Sequence, residues 1–476
     1  MKYFWTRFLP SYPKVLLYML QSTEYNLGQY LTWFNRTADF RRVMKRRTLD
    51  MTKKVRILLL AIQAIVFVIL LVIIAAVYLS TVYGQMWLLV ALLLLITAPF
   101  IVAYGLAVPL FIGELLIQRP REKVIIANAQ KKLNDHPGRR IAVAGSFGKT
   151  TAKEILKVVI GEGMNVAATP GNMNTPIGIS RFVMKLKGDE DILVFELGEE
   201  KVGDVRELSR LVHPEYAIIT GINEAHLSSF GSLENTVATI FEIEKFVKPE
   251  KLYKNEQSPL VKSYKNKSTL WFSDEKAGDW QVGHISTAID GTEFTMTRQG
   301  ETIHAKTGLV GVHTVGVTAA AVAMAYELGV SIENIENGLR KVRPFEHRME
   351  PRPMHGAWVI DDTYNGNSQG VEAGLSFLKS SGAKRRIYVT PGLVEQGSKV
   401  REIHETIGRQ IAGSVDVVVL MQNSVTEYIK AGLTREKFNG KLIEIDNPLQ
   451  FYTNLDQFVA AGDIVLMQND WTDNYQ

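Results

Sequence analysis

The chain has 476 residues, a net charge of +5 and no cysteine, which excludes disulfides and thiolate chemistry and leaves room for about three domains at roughly 150 residues each. So modest a charge gives no reason to expect a nucleic-acid partner. The 46% hydrophobic content is ordinary as an average, but much of it is concentrated near the N-terminus.

Residues 1–54 mix aromatic side chains (Tyr3, Phe4, Trp5, Phe8, Tyr12, Trp33, Phe34) with basic ones. That composition suits a juxtamembrane segment lying on anionic lipid, with a solvated basic linker as the alternative. Residues 57–79 then form an apolar run with no charge and a single Gln63, long enough at roughly 1.5 Å per residue to cross a hydrocarbon core of about 30 Å. A second uncharged run, 86–112, carries Pro99 and Pro109, which membrane helices tolerate when neighbours re-satisfy the backbone. The link at 80–85 leaves space for a tight turn only, so residues 55–117 read as a transmembrane helical hairpin. The alternative, a pair of buried core helices, sits poorly with runs this long.

Arg41, Arg42, Lys45, Arg46, Arg47, Lys53, Lys54 and Arg56 precede the first run, and Arg119, Arg121 and Lys123 follow the second. The turn has no cation, so the positive-inside rule puts both ends in the cytoplasm. The expected location is the cytoplasmic membrane, multi-pass, with both termini and any catalytic domains inside. The late start of the apolar run argues against a cleaved signal peptide.

From about Arg139 the pattern changes. Short β-branched runs such as IAVAG (141–145), DILVFEL (191–197), WVIDDTY (358–364) and VDVVVLM (415–421) alternate with helix-length segments, the signature of mostly parallel α/β sheets. The expected architecture is α/β, with a phosphate-loop central domain over 118–345 and a Rossmann-like C-terminal domain over 346–476. The polar stretch 251–306 reads as a small antiparallel insertion.

The strongest chemical signal is the strand–loop–helix IAVAGSFGKTTAKEIL. Gly145 and Gly148 let the backbone approach an anion, and the loop amides and helix N-terminus then point at phosphate oxygens. Lys149 reaches the β/γ-phosphates and Thr150 offers a hydroxyl to Mg²⁺, with Ser146 and Thr151 completing the loop. The general phosphate-loop pattern wants a glycine where Val143 stands, so that match is incomplete.

The variant G-S-x-G-K-T-T resembles the Mur ligases, and most closely their branch that adds D-alanyl-D-alanine to a UDP-muramoyl tripeptide. Later residues carry the likeness on. The segment 169–178 (TPGNMNTPIG) is similar to a family stretch in which Asn172, Asn174 and Thr175 would contact substrate. Glu196 stands where the family places a Mg²⁺-binding glutamate, and His226, in the AHL…FGS pattern, where it places a second metal ligand. The resemblance implies a Mg²⁺ set of Thr150, Glu196 and His226, with His226 also in the catalytic group. Two departures stand out. Ile240 occupies the position of the family's carbamylated lysine, with Glu242, Glu244 and Lys245 near enough to substitute. The adenine-holding Gly-x-His-Asn appears as Gly311-Val312-His313-Thr314, in which the His stays and the Asn is replaced.

Further on, Arg348 in EHRM is implied as a γ-phosphate contact at a hinge, a role suited to a permanently charged planar fork. DDTYNGN resembles the family's DDxYNANP, which implies Asp361, Asp362, Tyr364 and Asn365 as nucleotide contacts, with an aspartate carboxylate accepting both ribose hydroxyls. In the C-terminal domain Glu395 and His404 match, more loosely, residues that meet substrate. The family's Lys-Gly-Ser-Arg appears as Gln468-Asn469-Asp470-Trp471, losing two cations. The likeness spans about 139–470 and does not reach the N-terminus, where the family carries a uridine-nucleotide-binding domain.

The implied activity is ATP-dependent, Mg²⁺-assisted amide formation through an acyl phosphate, catalysed by Lys149, Arg348 and His226. Its partners would be a UDP- or lipid-linked cell-wall peptide, an amino acid or dipeptide amine, membrane lipid and other cell-wall enzymes. A polyglutamate-type synthase and a catalytically silent membrane scaffold are the competing readings.

Overall fold

The computed structural model describes residues 3–23, 25–41, 43, 49–223, 230–264, 270–364, 366–393, 396 and 399–469. The chain divides into two compact units, Met1–Val124 and Ile125–Gln476.

The first unit is helical: α1 (Tyr12–Ser22), α2 (Leu27–Arg36), α3 (Lys53–Tyr83), α4 (Met86–Gly105) and α5 (Ala107–Gly113). Thr52 caps α3, its hydroxyl accepting the Val55 N–H at 3.2 Å. Nothing between 80 and 83 breaks a helix, so α3 continues into the expected turn and ends at Gly84, whose φ of 101° suits glycine. The two candidate spans have only 17% and 22% of their most apolar windows buried, and Leu60, Phe67, Leu89 and Leu93 are exposed. Such exposure runs against the buried-core alternative.

The N-terminal segment packs against the long helices. Val15–Leu20 of α1 are buried in one apolar cluster with Val55, Leu58, Ile62, Val102 and Leu106 of the hairpin. Tyr12 and Tyr30 donate their hydroxyls to the carbonyls of Pro99 (3.0 Å) and Ala103 (3.2 Å). The segment is therefore folded onto the long helices. Burial of a continuous apolar stretch, VLLYML, outweighs the basic composition around it.

α6 (Arg119–Asp135) begins in the first unit and ends in the second, where it leads into β1 (Arg139–Ala144), followed by α7 (Lys149–Ile160), β2 (Val166–Ala168), α8 (Pro176–Lys185), β3 (Ile192–Glu196), α9 (Asp204–Val212) and β4 (Tyr216–Ile219). Then come β5 (Leu252–Asn255), β6 (Leu270–Phe272), β7 (Lys276–Ala277), β8 (Trp280–Ala288), β9 (Gly291–Arg298) and β10 (Glu301–Thr307). They form one ten-stranded sheet ordered β10-β9-β8-β7-β6-β5-β4-β1-β3-β2. β1 to β6 pair in parallel. The expected insertion over 251–306 is thus corrected: β5 and β6 extend the parallel sheet, and antiparallel pairing starts at β7. The connection between β5 and β6, with its helix Pro259–Ser263, supplies the dozen or so residues a parallel crossover needs. Helices cover both faces: α7 with Val315–Glu327 and Ile332–Lys341 on one, α6, α8 and α9 on the other.

A second sheet contains β11 (Glu350–Met354), β12 (Ala357–Asp362), β13 (Arg385–Thr390), β14 (Val417–Met421), β15 (Lys441–Ile445) and β16 (Asp463–Gln468), in the order β11-β12-β16-β13-β14-β15. Only β11 is antiparallel. Because β16 inserts between β12 and β13, the C-terminal ends of three strands bring Asp362, Gln468 and Thr390 together, at the edge where parallel sheets bind ligands.

Candidate functional site

β1 ends in the glycine-rich loop. Gly145 has a φ of 141° and Gly148 one of 76°; a Cβ on Gly145 would collide with the Thr220 side chain and Gly221. The loop is pinned by the Ser146 N–H to Gly221 O bond (2.7 Å) and by the Thr220 hydroxyl donating to Phe147 O. Ser146, Gly148, Lys149 and Thr150 face a cavity of about 440 Å³, into which the N-terminus of α7 opens. Among the described residues the buried Ser146 hydroxyl has no hydrogen-bond partner. Lys149 Nζ donates to Gly145 O at 2.5 Å and to both oxygens of Glu199 at 2.8 and 2.7 Å.

Across the cavity, Glu196 ends β3. Its Oε1 accepts from Asn174 Nδ2 at 3.3 Å, and its Oε2 lies 3.2 Å from the ammonium of Lys153, a fully buried side chain on α7. Lys153 also donates to Gly171 O at 2.8 Å, fixing the loop that carries Asn172, Asn174 and Thr175 to the cavity wall. Thr175 has a structural task as well, capping α8 by accepting the Gly178 N–H at 3.2 Å.

Thr150 and Glu196 thus face the same polar cavity, and a hydroxyl with a carboxylate suits a hard cation that keeps several waters, as Mg²⁺ does. His226 lies outside the described residues, and among those described no group of three His, Asp or Glu gathers into a metal site. Glu242 and Glu244 do not stand in for the missing lysine. Glu242 pairs with Arg206 and Glu244 with the buried Lys254, while Ile240 sits in the core.

Arg348 joins the two sheets' territories. Its Nη2 is 3.4 Å from Thr150 Oγ1, and its guanidinium stacks 4.4 Å from the Tyr364 ring centroid. It sits in a turn closed by bridging of Phe345 and Arg348, with His347 and Met349 in left-handed backbone at φ 59° and 46°. Tyr364 and Arg348 both line the phosphate-loop cavity.

The two aspartates separate. Asp361 is buried and committed internally, to His347 Nδ1 (2.8 Å), the Thr363 hydroxyl (2.7 Å) and Arg352 (3.3 Å). Asp362 instead lines a smaller cavity of about 190 Å³ with Phe147, Thr151, Asn255, His313 and Met349. Burial, partly offset by hydrogen bonds from Gln468 and the Met349 N–H, pushes the Asp362 carboxyl above its ordinary pKa. The expected nucleotide role therefore fits Asp362 and not Asp361, whose oxygens are already spent on the hinge. His313 opens onto this cavity and is exposed there.

His404, expected at the substrate, is not there. It is fully buried, its Nε2 accepting the Leu393 N–H at 2.9 Å and its Nδ1 bonded to Val400 O at 2.5 Å. It braces the loop after β13, and burial lowers its pKa. Asn365 and Glu395 lie outside the described residues.

The family model for the Mur ligase middle domain matches residues 143–325, and that for the Mur ligase glutamate ligase domain matches 347–468. The chain belongs to the Mur ligase family. The UDP-N-acetylmuramoyl-tripeptide–D-alanyl-D-alanine ligase of Bacillus subtilis (strain 168) is 26% identical over 344 residues, 71% of this chain and 75% of the relative. Its counterpart in Escherichia coli (strain K12) is 26% identical over 327 residues, 64% of this chain and 72% of the relative. A MurF ligase from Thermotoga maritima, solved in complex with ADP, superposes with a TM-score of 0.65 at 25% identity, covering 74% of this chain and 81% of that one.

Within this Mur ligase framework, sequence reasoning missed Lys153, Glu199 and Gln468. Lys153 had a readable signal, since it follows Lys149 by one helical turn and must share its face. Glu199 and Gln468 carry no local pattern. They gain meaning only from the side chains that folding sets opposite them.

Proposed function

We propose that this Mur ligase is a membrane-anchored enzyme that forms an amide on a muramoyl-peptide precursor of the cell wall, using ATP and proceeding through an acyl phosphate. The observation that carries the reading is Arg348 reaching Thr150. A permanent cation next to the second sheet closes on the phosphate loop of the first, where negative charge grows during phosphoryl transfer. Lys149 adds a second cation, and the amides at the start of α7 add aimed dipoles. A substrate carboxylate attacks the γ-phosphate, releasing ADP. An amine then displaces phosphate from the acyl phosphate and leaves the amide. Mg²⁺ at Thr150 and Glu196 supplies charge neutralisation on the phosphates. Closure about the 345–349 turn keeps water from the intermediate.

The named relatives support D-alanyl-D-alanine as the amine and a UDP-muramoyl tripeptide as the carboxylate. The neutral residues Gln468 and Trp471, where the family has cations, leave room for a related amine. The two apolar helices support anchorage, and an anchor where the family has a uridine-binding domain supports a lipid-linked acceptor or one delivered by a cell-wall partner. DDTYNGN argues against a polyglutamate-type synthase.

The test is phosphate release by the full chain in lipid vesicles, with UDP-linked and lipid-linked muramoyl peptides and a panel of amines, for wild type and Lys149→Ala. Amide formation lost in the variant is the expected result. Background rates for both proteins with every pair would leave the silent-scaffold reading standing, and equal turnover of soluble and lipid-linked acceptors would remove the lipid preference.

A further inference from the structure

The C-terminal end of β16 holds a polar residue that the mechanism above leaves unused. Gln468 is buried to 1% exposure, between β12 and β13. Its Nε2 donates to Asp362 Oδ2 at 2.7 Å and to Gly370 O at 2.7 Å, and its Oε1 accepts the Tyr388 hydroxyl at 2.8 Å. The orientation of the amide follows from these partners. A carboxylate and a carbonyl can only accept, so the NH₂ must face them, and the tyrosine must then donate. Burial raises the Tyr388 pKa, which keeps that donor protonated. Room for the amide is provided on the helix Ser368–Ser380, where a Cβ on Gly374 would come within 3.0 Å of Gln468 Nε2.

We propose that Gln468 is a positioning residue that presents Asp362 to the ribose hydroxyls of the nucleotide, through the buried series Tyr388–Gln468–Asp362. The inference rests on the ATP reading above and adds a residue to it. Asp362 Oδ2 accepts from Gln468 and Oδ1 accepts the Met349 N–H at 3.2 Å, so among the described residues each oxygen keeps one lone pair free, and Asp362 lines the cavity beside His313 and Thr151. Two hydroxyls on adjacent carbons match two such acceptors. A neutral amide fixes the carboxylate without drawing its charge into an ion pair, unlike the lysine that the resemblance places at this position. Removing the amide leaves the carboxylate free to turn toward Arg348 and away from the sugar.

The experiment measures binding of ATP, 2′-deoxy-ATP and 3′-deoxy-ATP to the full chain in detergent, for wild type, Gln468→Met, Gln468→Lys and Tyr388→Phe. Wild type is expected to prefer ATP over each deoxy form by at least about tenfold, the worth of a hydrogen bond to a charged group. In Gln468→Met, ATP affinity falls to that of the deoxy forms while theirs stays unchanged. Tyr388→Phe, which removes the tie on the amide oxygen together with a contact to Thr390, lies between, and carries the test alone if Gln468→Met does not fold. Gln468→Lys restores a donor to Asp362 and with it part of the preference. Equal weakening of all three nucleotides, or a preference unaffected by these changes, overturns the proposal. Absence of ATP binding in wild type would instead remove the nucleotide reading on which it stands.

Discussion

Lys149, the cation of the phosphate loop, forms a two-pronged salt bridge with Glu199, at 2.8 and 2.7 Å, in a setting where the carboxylate side chain is only 2% exposed. A pair this well shielded is barely screened by salt. Triphosphate must therefore compete with Glu199 for the ammonium, and the carboxylate repels the anion it competes with. Glu199→Gln keeps the shape and removes the charge. Nucleotide affinity in the presence of EDTA is expected to tighten about tenfold, roughly 1.4 kcal/mol, and the gain should shrink when Mg²⁺ is added. Calorimetric titration with ADP and ATP measures it. Weaker binding in EDTA would mean that Glu199 orients Lys149 and does not compete.

Lys153 and Glu196 form a pair in which the lysine is fully buried. Breaking one side of such a pair strands the other charge, and the usual penalty is about 3–5 kcal/mol. Lys153→Met should therefore lower the denaturation midpoint strongly. The double variant Lys153→Met/Glu196→Gln should recover part of the loss, since no charge is then left unpaired. A single variant within about 1 kcal/mol of wild type would show that Glu196 finds another cation or takes up a proton.

The elements that could be read from sequence are those whose meaning is local. The strand, glycine loop and helix around Lys149 are consecutive along the chain, from Arg139 to Ile160, so periodicity and glycine placement suffice to recover their geometry. The same holds for the alternating strands and for Arg348 beside DDTYNGN. What was not legible depends on which strand lies beside which. Asp361 and Asp362 look alike in sequence, but alternation along β12 sends one to the hinge and the other to a cavity. His404 matches a substrate position by order along the chain, and packing turns it inward to hold Leu393. Gln468 reads as a lost cation until β16 is seen to insert between β12 and β13. The stretch 251–306 looked antiparallel throughout because β9 and β10 alternate so clearly that they dominated the short runs before them.

A pH-dependent contribution to stability comes from Glu190. Burial opposes its charge, but the Lys187 N–H, His136 and the Gly188 N–H together outweigh burial and hold the carboxyl at about 2, against 4.5 without them. The His136 ring is set for this task, since its Nδ1 accepts the Gly138 N–H at 3.0 Å and its Nε2–H is left to face Glu190 Oε2 at 3.0 Å. A pKa lower in the folded state means that the unfolded chain binds the proton first. The stabilisation is thus complete above the unfolded pKa and is lost as pH falls from about 4.5 to about 2. Its size is at most about 3 kcal/mol at one pKa unit per 1.36 kcal/mol. Glu190→Gln should be less stable than wild type at pH 7 and show a flatter acid limb. Thermal unfolding between pH 7 and 3 checks both, and parallel curves would assign the stabilisation elsewhere.

The orientation of the long helices can be tested cleanly because the chain has no cysteine. α3 spans 31 residues, roughly 46 Å at 1.5 Å per residue, more than the about 30 Å of hydrocarbon it would cross. If the hairpin is anchored as proposed, the first turn of α3 is expected in the headgroups on one side and Tyr78, Tyr83 and Trp87, exposed around the turn to α4, in those on the other, where amphipathic rings are favoured. The cations before α3 and after α5 belong on the cytoplasmic side, because moving them across costs several kcal/mol and the turn has none to oppose them. Single substitutions Tyr83→Cys, Met51→Cys and Val124→Cys give three probes at exposed positions. A membrane-impermeant maleimide on intact cells should label Tyr83→Cys alone, and the other two only after permeabilisation. Labelling of Met51→Cys from outside would invert the hairpin. Equal labelling of all three after permeabilisation only, with the protein released by carbonate washing, would mean that the helices do not cross the membrane and that their exposed apolar faces are covered by protein.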